Sequence, residues 1–293
     1  MIKWGGIVWS VHPLFVIVML LSVAAGRFAE LITLFALVFV HELGHVAAAR
    51  ALGWTIREVK LLPFGGVAEV EEAGGMPTKE EVIVAIAGPL QNAWMAAVAW
   101  VLGHSIGWGL PWSEELVKAN LLIMMFNLIP ISPLDGGKLL QCLLGRLLSY
   151  HQSLLWSIRL SIAMSVMLAA AALVGPLWPG GGIQLNVLTI ALFLLATNWT
   201  QLRHLPFLFI RFLVNRERFA ARRLSQESGP SPIIVRPEAA VQSILRRLRR
   251  DYVHLVYVTT PRGELLGVLP ENVLLYHFFI SPSPNQPVIE LIV

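Results

Sequence analysis

The sequence predicts an α-helical polytopic membrane protein. About six transmembrane helices are expected, with a membrane-proximal β-hairpin and a small α/β module at the cytoplasmic C-terminal end. Three observations carry this. Of the 293 residues, 56% are apolar and only 14% are charged, whereas soluble domains carry about 25% charged residues. Apolar stretches long enough to cross a bilayer recur between residues 7 and 199. Beyond Ser225 they give way to short segments of mixed polarity. The expected organisation is a transmembrane domain over 1–202, a basic interfacial linker over 203–228 and a soluble module over 229–293.

The first apolar run, residues 7–25, has no small-residue cleavage site and reads as a retained span. His12 lies near its start, either at the interface or facing an internal cavity. The second run, 31–52, contains His41-Glu42-Leu43-Gly44-His45. On a helix this places two imidazoles at i and i+4, on one face and one turn apart. That spacing suits two ligands of one zinc ion, with Glu42 beside them as general base. Ionisable groups inside a membrane segment are costly, which marks these three as functional.

Residues 55–72 alternate apolar and polar positions around Pro63-Phe64-Gly65-Gly66 and read as a hairpin. It is either an ordinary cytoplasmic hairpin or an edge that pairs with an extended peptide. Thr78 and Glu81 have the spacing of a capping box. The third span, 82–102, contains Gly88, Pro89 and Asn92. Pro89 predicts a kink, and Gly88 allows close approach of a neighbouring helix. Asn92 is either a helix–helix hydrogen bond or a polar group of the site.

Residues 116–148 are too long for one span and are broken at 127–138, where two prolines and two glycines interrupt the helix. Such backbone is tolerated at membrane depth only inside protein or beside a wet cavity. Asp135 is the only acidic residue between Glu115 and Glu217. A catalytic zinc needs three protein ligands and an open position, and Asp135 is the candidate third. Pro133 and Gly136-Gly137 would present its carboxylate at a fixed turn. Cys142, the only cysteine, reads as a small core residue and excludes an internal disulfide.

Two more spans are expected at 154–177 and 183–199. Lys and Arg concentrate after spans two, four and six, which puts both termini in the cytoplasm. Net charge is +4, and its distribution serves orientation. No nucleic-acid partner is expected. The basic stretch 203–224 reads as an interfacial helix on anionic lipid. The tail reads as strand, helix (237–248), two strands (254–259 and 264–269) and helix (271–279).

His41-Glu42-Leu43-Gly44-His45, Gly88-Pro89-Leu90-Gln91-Asn92 and Leu134-Asp135-Gly136 together resemble the site-2 protease family of intramembrane zinc metalloproteases. The tail resembles a single cystathionine-β-synthase (CBS) repeat. The residues from Leu62 to Glu72 and from Asn127 to Lys138 are similar to those of a branch of the family found in endospore-forming bacteria. The resemblance implies one zinc per chain on His41, His45 and Asp135, Glu42 as catalytic base, and Asn127 near the active site. It also implies a membrane-associated substrate, pro-sigma-K, cleaved in the mother-cell membrane around the forespore. Two inhibitory membrane proteins and a regulatory domain responsive to ATP are further implications. A nucleotide site would need a second CBS-like copy, hence a homo-oligomer, and its contact residues are not readable. A helical substrate hides its peptide bonds, so Gly65, Gly66 and the hairpin would hold an extended segment. The same machinery could act on an anti-sigma factor instead. A metal transporter with these residues along its path is the reading from another class; it has no need of the hairpin or the broken loop.

Overall fold

The computed structural model describes residues 2–4, 7–11, 26, 28–62, 65–70, 76–106, 110–174, 184–223, 230–280 and 286–292. His12, the rest of the expected first span (12–25), the Pro63-Phe64 turn and the loop at 178–182 lie outside them. The chain divides into two compact units, one of Met1–Ala73 and Lys79–Leu140, the other of Gly74–Thr78 and Gln141–Val293.

In the first unit, helix α1 (Phe28–Ala51) carries Glu30 in its first turn and Arg50 in its last. Both complement the helix dipole. It stops where Gly53 takes φ +77° and Trp54 N–H bonds back to Ala49 O at 2.9 Å, a left-handed cap that glycine adopts without strain. The expected hairpin follows as β3 (Ile56–Leu62) and β4 (Gly65–Val70), paired antiparallel. It belongs to a four-stranded sheet with β1 (Ile2–Trp4) and β2 (Ile7–Val11), in the order β1-β2-β3-β4. Strand β2 runs parallel to β3. This corrects the first span, because residues 7–11 are a strand. Ile7, Val8, Trp9 and Val11 are residues that suit a pleated ladder, and Ser10 Oγ donates to Glu58 Oε1 across it at 2.5 Å.

Helix α2 (Thr78–Ile106) runs through Pro89. The expected capping box does not form: Thr78 Oγ1 has no hydrogen-bond partner among the described residues. Its backbone N–H donates instead to Asp251 Oδ1 at 2.9 Å, both residues lying in the second unit. Helices α3 (Leu110–Asn127) and α4 (Asp135–Leu147) flank the expected break. A Cβ on Gly136 would meet the carbonyl oxygens of Leu128 and Ile129, and one on Gly137 would meet Ser132 N at 2.5 Å. The break closes tightly because neither residue has a side chain. Among the described residues, four helices are long and apolar enough to cross a membrane: Ala29–Ala51, Thr78–Ser105, Tyr150–Val174 and Leu185–Arg203.

The second unit packs α5 (Tyr150–Val174) along α6 (Leu185–Arg203). Ser153, Ser157, Ser161 and Ser165 are buried on one α5 face, each hydroxyl bonded to a carbonyl three or four residues earlier. Helix α7 (Leu205–Arg223) leads to the module β5 (Ser231–Val235), α8 (Val241–Leu245), β6 (His254–Thr259), β7 (Leu265–Pro270) and α9 (Glu271–Ile280). Its sheet order is β5-β6-β7, parallel then antiparallel.

One expectation changes here. The helix read over 237–248 shrinks to α8. Its leading backbone pairs with the chain end instead, through Val288 N–H to Ala239 O at 2.9 Å and Ile289 N–H to Pro237 O at 3.2 Å. Leu154 and Ile158 of α5, Phe209, Phe212 and Leu213 of α7, and Val256, Val258 and Leu274 of the module share one core. One face of the basic stretch therefore turns inward, and its Arg216 is buried against the module.

Candidate metal centre

His41 and His45 leave α1 on the face turned toward α2. Their rings meet edge to face, with centroids 4.8 Å apart. His41 Nε2 and His45 Nε2 are 3.2 Å apart, and each lies 3.1 Å from Asp135 Oδ2. Asp135 begins α4, directly after the tight break. All three are buried, as is Glu42. The ligand atoms of His41, Glu42 and His45 lie within 4.8 Å of one another.

The outer ring nitrogens define the tautomers. His45 Nδ1 faces Val84 O at 2.7 Å, a carbonyl that can only accept. His41 Nδ1 faces Asn92 Oδ1. Both Nδ1 atoms are therefore donors, and a neutral ring then presents a lone pair at Nε2. As neutral rings, the two histidines turn their Nε2 lone pairs toward one carboxylate oxygen, and a shared cation satisfies all three acceptors. Mutual spacings of 3.1–3.2 Å also match a tetrahedron whose metal–ligand bonds of about 2.0–2.1 Å imply edges of roughly 3.3 Å. The residues present fit zinc. Partners on the outer nitrogens orient such ligands and raise their basicity.

One stripe of α2 serves both rings. Val84, Gly88 and Asn92 fall at i, i+4 and i+8, on one helix face. A Cβ on Gly88 would meet both imidazoles, with His41 Nε2 at 2.6 Å. The close approach expected at Gly88 is thus to the two histidines of α1. Asn92, read as either a helix–helix bond or a site group, is both: it also donates to Asn120 Oδ1 of α3 at 3.0 Å.

Asn127 is buried at the end of α3 and donates to Ile123 O in its own helix at 3.2 Å. Pro133 follows a cis peptide bond two residues before Asp135. Gly65 and Gly66 pair with Leu62 and Leu61 at the turn end of the hairpin, whose β4 is an outer strand of the sheet. Both hairpin strands pack on α1. Asn120 was not singled out from sequence. Its spacing of seven residues from Asn127, on one face of a helix, was the available signal.

Residues 29–118 match peptidase family M50; Asp135 lies beyond that stretch. The chain is 33% identical over 293 residues to stage IV sporulation protein FB of Bacillus subtilis, covering 99% of this chain and 98% of that protein. It is 27% identical over 251 residues to a zinc metalloprotease of Methanocaldococcus jannaschii, covering 81% of this chain and 66% of that protein. Among solved structures, the site-2 protease from Methanocaldococcus jannaschii matches with a TM-score of 0.56 and 28% identity, over 69% of this chain and 94% of that chain.

Proposed function

Because the chain belongs to peptidase family M50 and is therefore a metalloendopeptidase, we propose that His41, His45 and Asp135 hold one zinc ion per chain and that Glu42 is the catalytic base. The observation that carries this is the convergence of His41 Nε2, His45 Nε2 and Asp135 Oδ2 as three buried acceptors. When bound, zinc supplies Lewis acidity that brings the pKa of water toward neutrality and polarises a carbonyl. Glu42 accepts the proton of the attacking water at a carboxylate oxygen and returns it to the departing amide nitrogen. Asn92 and Val84 O orient the two rings. Burial of the cluster keeps out bulk water.

The substrate on this reading is a membrane-tethered protein of the pro-sigma-K kind; a relative covering 98% of its own length is a sporulation protein, which supports that choice. An unwound substrate segment adds to the open side of β4, where Gly65 and Gly66 allow close backbone approach. Helix α3 joins the four candidate spans in a bundle of about six, with both termini cytoplasmic and the enzyme in the mother-cell membrane. The element order β-α-β-β-α of the C-terminal module supports a CBS-like repeat. ATP would bind between two copies, and inhibitory membrane proteins would hold the enzyme off.

The experiment is co-expression with candidate substrates, pro-sigma-K and an anti-sigma factor among them. Glu42→Gln should keep zinc and lose cleavage. Asp135→Asn should lose both. Full cleavage by Glu42→Gln removes the base assignment, and unchanged zinc content in Asp135→Asn removes Asp135 from the ligand set.

A further inference from the structure

We propose that Asn120 is a positioning residue for the metal centre, acting through Asn92 to hold His41 in the tautomer that leaves Nε2 free for the metal. This rests on the zinc reading above. An asparagine amide is symmetric in shape and opposite in polarity at its two ends, so its orientation is fixed by its partners. Here the chain of partners starts from an atom that cannot switch. Asn120 Nδ2 reaches Leu116 O at 2.9 Å, and a carbonyl only accepts. Asn120 therefore turns its Oδ1 toward Asn92, whose Nδ2 must donate, at 3.0 Å. That places Asn92 Oδ1 against His41 Nδ1, and the ring proton must sit on Nδ1. Asn92, Asn120 and His41 are 0%, 1% and 2% exposed, so no bulk water competes for these bonds.

The two histidines thereby differ. His45 is oriented by main chain, through Val84 O, which no substitution deletes. His41 depends on two amides in series, the second of them on α3. Without Asn120, Asn92 is free to turn over and present its Nδ2 to His41. The ring would then accept at Nδ1 and carry its proton on Nε2, pointing at the metal position.

The test measures zinc affinity of the full-length protein in detergent by competition with a chromophoric chelator. Asn120→Leu keeps the bulk and removes both bonds. Its zinc affinity should fall about 10-fold or more, the range for loss of such a supporting partner. Asn120→Asp, protonated in this buried site, can donate to Leu116 O and accept from Asn92, and should stay close to wild type. Asn92→Asp presents an acceptor to His41 without help, so adding Asn120→Leu to it should cost nothing further. Wild-type affinity in Asn120→Leu overturns the proposal and leaves the zinc reading standing. So does an equal loss from Asn120→Leu in the wild-type and Asn92→Asp backgrounds. A wild-type protein that takes up no zinc, or a His41→Ala variant that binds it as well as wild type, overturns both.

Discussion

Replacing Arg216 with alanine should undock the C-terminal module from α7. Arg216 and Glu271 are 1% and 3% exposed. The guanidinium donates through Nε to Glu271 Oε1 at 3.1 Å and through NH2 to Oε2 at 3.0 Å. NH1 caps the carbonyls of Arg249 at 2.7 Å and Arg250 at 3.0 Å, and NH2 also reaches Tyr252 O. Deleting one member of a buried pair costs about 3–5 kcal/mol, because the other charge stays behind unpaired. The uncapped carbonyls add to the penalty, but the contributions are not independent, so the loss is set at about 3–5 kcal/mol. That corresponds to a rise of roughly 100-fold or more in the opened population at about 1.4 kcal/mol per decade. Hydrogen exchange of β6 and α9 in detergent reads that population directly. Protection within threefold of wild type would refute the reasoning. The double substitution Arg216→Met with Glu271→Leu should recover most of the loss, since a buried pair replaced by packed apolar residues is often neutral.

Two further outcomes follow from the same geometry. Gly88→Ala should raise helix propensity by about 1 kcal/mol yet lower zinc retention on dialysis against chelator, because its Cβ would meet both imidazoles; retention equal to wild type would argue against the ring positions. Docking of the module should weaken on acidification. Burial, together with the charges of Arg216 and Arg249, holds His254 below its ordinary value of 6.5, against the opposing pull of Glu271. An unfolded chain then takes up a proton that the docked one refuses. Stability is complete above about pH 6.5 and falls below it by at most about 1.4 kcal/mol per pH unit. Burial alone would raise Glu271, but His254 and Arg216 outweigh it and hold it below its ordinary value of 4.5. Its contribution disappears at still lower pH, with the same sign. Thermal midpoints at pH 7.5 and 5.5 check this, and His254→Asn should flatten the upper part of the slope.

The convergence of His41, His45 and Asp135 was legible because it is written in residue type and short spacing. His41 and His45 are one helical turn apart. Asp135 stood out as a lone carboxylate in a long apolar stretch broken by Pro133, Gly136 and Gly137. The residues that support the cluster were harder to read. Asn120 matters only because α2 and α3 bring it to Asn92, and its seven-residue spacing from Asn127 marks a helix face without saying what that face meets. Arg216 was hidden by averaging: among many arginines in 203–223, only its direction into the module distinguishes it. Residues 7–11 misled for another reason. A short apolar run has no period that separates a buried strand from the start of a span, and its partner β3 lies some fifty residues away.

The centre depends on register between two helices more than on any one supporting residue. On α1 the imidazoles are four residues apart. On α2 the matching stripe is a carbonyl acceptor at Val84, an open space at Gly88 and an amide acceptor at Asn92, again four residues apart. Gly44 permits the approach, since a Cβ there would meet Gln91 Cγ at 2.6 Å and Ala87 O at 2.8 Å. A one-residue slip of α2 would turn its face by about 100°. It would remove both acceptors and bring a side chain against the rings. The short reach of Asn92 makes the spacing strict as well, because glutamine would be longer by one methylene and would enter a fully buried position. The two supports are therefore not interchangeable. Val84 contributes only backbone and tolerates other side chains, whereas Asn92 must be a short amide held in one orientation.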